Sequence, residues 1–146
     1  MSKSNTLENG WLDLFFLNAA LANVGDASGL QPSGAPGSLY VSLHVGDPGE
    51  AGTQLTSEAT YTSYARVAVA RSGAGWSRSS NVIDNVAAIT FPQSTGGSST
   101  VDFFGIGQNA AGAGDLWYSG ALTAALAISG GITPEFAIGA LTVTED

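Results

Sequence analysis

The sequence predicts a mainly β fold, an antiparallel β-sandwich or jelly-roll-like domain with one N-terminal α-helix. Three observations carry that prediction. Short runs alternating apolar and polar residues recur about seven times between turn residues, the pattern of half-buried strands. Only one stretch, residues 5–23, has helical spacing. The composition is small and turn-rich, with 20 glycines and only 11% charged residues among 146, where about a quarter is usual.

In the helical stretch, Leu7, Trp11, Leu14, Phe15, Asn18 and Leu21 share one face, and Leu12 and Phe16 widen it. Asn5 and Glu8 have capping-box spacing, and Gly25 is a terminator. The plain reading packs this helix on its own sheet. A sharper one docks it on a neighbouring subunit, with Leu7, Trp11, Leu14, Phe15 and Phe16 as assembly contacts. Residues 24–37 hold four glycines and two prolines and read as a linker. The expected division is therefore 1–37, helix and linker, and 38–146, the β-sandwich domain.

The organising strand is Leu39-Tyr40-Val41-Ser42-Leu43-His44-Val45, closed by Gly46-Asp47-Pro48-Gly49. The polar stretch 50–63 is a long connection of a kind that is usually functional or disordered. Further strands are expected at 66–71, 86–91, 101–107 and 116–122, with a shorter one at 124–129. Residues 72–80, around Trp76, read as a turn region. Residues 101–107 are apolar on both faces and belong in the sheet centre. Residues 135–144 change parity near Gly139, which marks a bulge or two strands meeting at a corner.

The net charge is −8, from four basic side chains against twelve carboxylates. Nucleic acid and anionic membranes require a cationic footprint, so neither is an expected partner. The chain has no cysteine, which removes disulfides, thiolate metal sites and cysteine nucleophiles. No apolar run approaches the ~18 residues of a membrane span. Lys3, the apolar run 11–17 and Ala20-Leu21-Ala22 mimic a secretory leader, but Glu8, Asp13 and Asn18 interrupt that pattern.

The residues for chemistry are sparse. His44 is the single histidine and lies on the polar side of its strand, which places it at the surface or an interface. A Ser-His-Asp triad could be drawn with His44, but no nucleophile-elbow motif supports it. Gly105-Ile106-Gly107-Gln108-Asn109-Ala110 matches a dinucleotide-binding pattern formally. Gly112 and Gly114 rule out the helix that pattern needs. The carboxylate pairs Asp47 with Glu50 and Asp84 with Asp102 lack calcium-loop spacing and read as turn residues. No catalytic residue, cofactor or metal is expected, and the chain reads as a non-enzyme.

The ordered set of segments resembles a family of small tailed-bacteriophage virion proteins, often labelled tail-fibre or minor structural proteins. The resemblance rests on residues 39–50 (LYVSLHVGDPGE), Tyr64-Ala65-Arg66-Val67-Ala68-Val69, Ala88-Ile89-Thr90-Phe91-Pro92 and Phe104-Gly105-Ile106. It continues through 116–122 (LWYSGAL) and 136–143 (FAIGALTV) and covers most of 38–144. It implies a non-enzymatic virion component made in the host cytoplasm, a homo-oligomer whose partner is the phage major capsid protein or tail proteins. Low charge and the absence of heptads or β-helix repeats favour a capsid decoration (cement) protein over a tail-fibre or adhesin protein. A third reading is a carbohydrate-binding module stacking sugars on Trp76, Trp117 or Tyr118.

Overall fold

The computed structural model describes residues 2–146. It is mainly β, with antiparallel sheets and a single N-terminal helix, as the alternation predicts. The order is α1 (Asn5–Leu17), β1 (Ser38–His44), β2 (Val67–Ala70), β3 (Trp76–Ser79), β4 (Val82–Asn85), β5 (Ile89–Thr90), β6 (Ser99–Gly107), β7 (Leu116–Ile128), β8 (Glu135–Phe136) and β9 (Thr142–Thr144). The sheets run β2-β1-β6-β7, β3-β4-β9 and β5-β8. Two compact units result: Met1–Ser38 with Ala70–Ala88 and Phe136–Asp146, and Leu39–Val69 with Ile89–Glu135.

The first unit is built on the helix. Its N-cap is Ser4 rather than Asn5; the Ser4 hydroxyl accepts from the Leu7 N–H at 3.4 Å. The helix stops at Leu17, not at residue 23, because Asn18 takes the left-handed conformation (φ 54°, ψ 38°) and donates its N–H to Asp13 O. The Asn18 side chain then accepts from Ser33 N–H at 3.0 Å and donates to Ser33 O at 2.9 Å. Leu21 and Leu30 exchange backbone bonds of 3.0 and 2.9 Å, which closes the intervening loop.

Leu12 and Phe16 are fully buried, and the Phe16 ring meets the buried Trp76 ring edge-on at 4.9 Å. Each such side chain contributes about 1.5–3 kcal/mol on leaving water. Trp76 starts a hairpin, β3–β4, in a region read from sequence as a turn. Its two-residue connection is Ser80-Asn81, with Ser80 at φ +56°. The strand expected at 86–91 shrinks to Ile89–Thr90, since residues 82–85 carry the pairing instead. The parity change near Gly139 is a turn between β8 and β9. Buried Asn85 organises it, accepting from Leu141 N–H and donating to Ala137 O, both at 2.9 Å.

The second unit is built on the β2-β1-β6-β7 sheet. β6 lies inside it, as its two apolar faces predict, and pairs with both β1 and β7. β7 is continuous but holds the two segments read from sequence. Val101 faces Leu126 and Phe103 faces Ala121, so residues 122–125 bulge opposite the single residue Asp102. Leu39, Val41 and Leu43 are buried on the apolar side, where Val41 pairs with Ile106 of β6.

Candidate functional site

The other side of β1 is polar, and it is not wet. Ser42 and His44 have no exposed surface. The strand parity is read correctly from sequence, but the expected surface position of His44 is overturned. The connection 50–63 is ordered and lies over that face. It is tied to the edge of β1 by Val45 N–H to Ser57 O at 2.7 Å and Ala59 N–H to Leu43 O at 2.8 Å, and from there Thr56 and Gln54 reach over the face.

The hydrogen bonds fix the state of the imidazole. His44 Nδ1 lies 2.7 Å from Thr56 O, which can only accept, so Nδ1 carries the proton. Nε2 then accepts from the Ser42 hydroxyl at 2.8 Å. Burial pushes the His44 pKa below its ordinary 6.5 and keeps the ring neutral. The two glycines of the rejected dinucleotide pattern serve this layer. A Cβ on Gly105 would lie 2.6 Å from His44 Nε2 and 2.7 Å from Ser42 Oγ, and one on Gly107 would collide with buried Gln54.

The layer continues into a buried ion pair. Arg66 grips Glu58 with two bonds of 2.6 and 2.8 Å, and their side chains are only 2% and 11% exposed. Two further guanidinium N–H groups reach Asn109 O and Gly112 O at 2.9 Å each. Tyr64 donates to Glu58 at 2.9 Å and accepts from Leu43 N–H at 3.1 Å, while burial raises its phenol pKa well above the ordinary value. The guanidinium thus makes four hydrogen bonds, two of them to its counter-ion, the kind of pairing a buried charge requires. This arrangement holds loops; its Ser-His contact is sealed from solvent.

One surface feature of this unit is an open cavity of about 450 Å³ lined by Asp47, Glu50, Phe103, Trp117, Tyr118 and Ser119, among others. Asp47 accepts from Gly49 N–H at 2.8 Å, the turn role expected for it. Trp117 is 41% exposed. Trp76, the other tryptophan considered for sugar stacking, is excluded by its place in the first unit's core. Among the described residues no group of side chains could hold a metal ion, and no helix is long and apolar enough to cross a membrane.

The five helix residues read as assembly contacts do not behave as one set. Phe16 is buried within its own unit, Leu14 and Phe15 are half-buried, and Leu7 and Trp11 are exposed. The two exposed residues are the ones a partner could reach without unfolding the helix.

The model of the podophage GP4 fiber I protein gp80 family matches residues 2–144. The chain belongs to that family. This agrees with the virion-protein resemblance read from the sequence, and it extends that resemblance over α1 and the glycine-rich loop. A comparison with the curated proteins finds no match. Membership of the fibre I family makes the chain a phage virion structural protein; its position on the particle is a separate question.

Proposed function

We propose that this chain is a non-enzymatic fibre subunit, carried with the tail apparatus of a podophage particle. The observation that supports this most is the length of the family match, which takes in both compact units and not one shared motif. The polar layer adds support from the chemistry. His44, Ser42, Glu58 and Arg66 are consumed in mutual bonds and hold the 50–63 and 109–112 loops in place. A chain of this kind acts by presenting a rigid surface.

The capsid decoration reading keeps one specific support: the short strands contain no shaft-forming repeat. A shell-binding protein and a fibre subunit differ in what their loss does. In particles assembled without this chain, the fibre reading expects shells of unchanged heat resistance and a missing fibre in electron micrographs. Intact fibres on shells that burst at lower temperature would favour decoration instead.

A further inference from the structure

We propose that the cavity between the Asp47–Glu50 turn and the start of β7 receives an arginine or lysine side chain from a basic segment of a partner protein. The cavity is lined by acceptors and aromatic rings. Asp47 and Glu50 are both exposed carboxylates, and Phe103, Trp117 and Tyr118 surround them without any basic residue in the lining.

Among the described residues no basic side chain is left over for that cavity. It has only four basic side chains. Lys3 pairs with Glu145 at 2.5 Å, Arg78 with Asp13 at 2.5 Å, and Arg66 with Glu58 at 2.6 Å. Arg71 donates to the last-turn carbonyls of α1, Leu14 O and Phe15 O, at 2.6 Å each. Glu50 makes no ion pair among the described residues. The cavity is therefore complementary in charge to something outside the chain.

The donor balance separates two occupants. A guanidinium or ammonium group only donates, and it gains from carboxylates and from the face of a tryptophan together. A neutral saccharide would also stack on Trp117, but its hydroxyls bring as many acceptors as donors. The side-chain donors of the lining are three, the Ser119 and Tyr118 hydroxyls and the Trp117 indole N–H, set against two carboxylates that only accept, so several saccharide oxygens would lose water without replacement. The turn is preorganised by Gly49 N–H to Asp47 Oδ1 at 2.8 Å and by Gly52 N–H to Gly49 O at 3.1 Å, so little ordering cost is left for binding. The inference holds whether the chain sits on a fibre or on the shell.

The test uses the full chain, reading the indole N–H signal of Trp117 by NMR, assigned through Trp117→Phe. The probes are an end-blocked Gly-Arg-Gly peptide, the same peptide with citrulline in place of arginine, and maltotriose. The arginine peptide should give a saturable shift that weakens with added salt. Glu50→Gln, an exposed change that leaves the fold intact, should weaken it by about fivefold, and the citrulline peptide should give no comparable shift. Equal shifts from citrulline or maltotriose, no shift from arginine, or indifference to Glu50→Gln would each overturn the proposal.

Discussion

The two compact units bury their second layer in opposite ways. In the first, an amphipathic helix lays Leu12 and Phe16 on the β3–β4 hairpin, and the contact is an apolar cluster around Trp76. In the second, a loop lays Thr56, Gln54 and Glu58 on the polar side of β1 and β6, and the contact is a hydrogen-bonded layer around His44 and Arg66. An apolar cluster tolerates small shifts and loses stability in proportion to the volume removed. A buried polar layer is specific in geometry, and it fails when one partner is left without the other.

That difference can be broken from either side. Phe16→Ala should cost about 3–5 kcal/mol in the first unit, read as lost hydrogen-exchange protection in α1, β3 and β4. Deleting residues 1–24 should go further, leaving a chain that aggregates. A truncated chain that melts normally would show that the helix is dispensable to the core. In the second unit, Arg66→Met should cost about 3–5 kcal/mol by stranding the Glu58 carboxylate. Adding Glu58→Met should recover much of that loss in denaturant unfolding, whereas two apolar-core truncations would add.

Gly105→Ala is a smaller intrusion into the same layer. It should destabilise by about 1–3 kcal/mol, because the new methyl meets His44 and Ser42. Crystallography of the variant should find the imidazole displaced. The smallest effect is one of pH. Because the folded-state pKa of His44 lies below its ordinary 6.5, the unfolded chain binds the proton first as pH falls. Stability of the second unit should be full above that value and decline below it. His44→Gln should flatten this decline, and an unchanged slope would mean that other groups cause it.

The apolar half of this architecture was legible in the sequence because periodicity reports it directly. The runs at 39–45 and 101–107 gave β1 and the interior β6, and the split at 116–129 foreshadowed the β7 bulge. The β3–β4 hairpin escaped because Trp76-Ser77-Arg78-Ser79 has one apolar residue in four and its turn is Ser-Asn rather than a glycine pair. Helix length was overestimated because Asn18 fits the apolar spacing, while its backbone and side chain both end the helix. The polar layer was hidden for a different reason. Alternation tells which side of a strand is polar, but not that a loop of threonines and serines will cover that side. The acidic, aromatic cavity joins residues 47–50 to 103 and 116–119, a proximity that only the folded sheet and its loop create.

The central claim is that this family member is a fibre subunit, and imaging of intact particles tests it most directly. Cryo-electron microscopy should place density matching the β2-β1-β6-β7 sheet and the α1 unit within a fibre attached to the tail apparatus. Density for the chain at the joints between capsomers of the shell would contradict the claim.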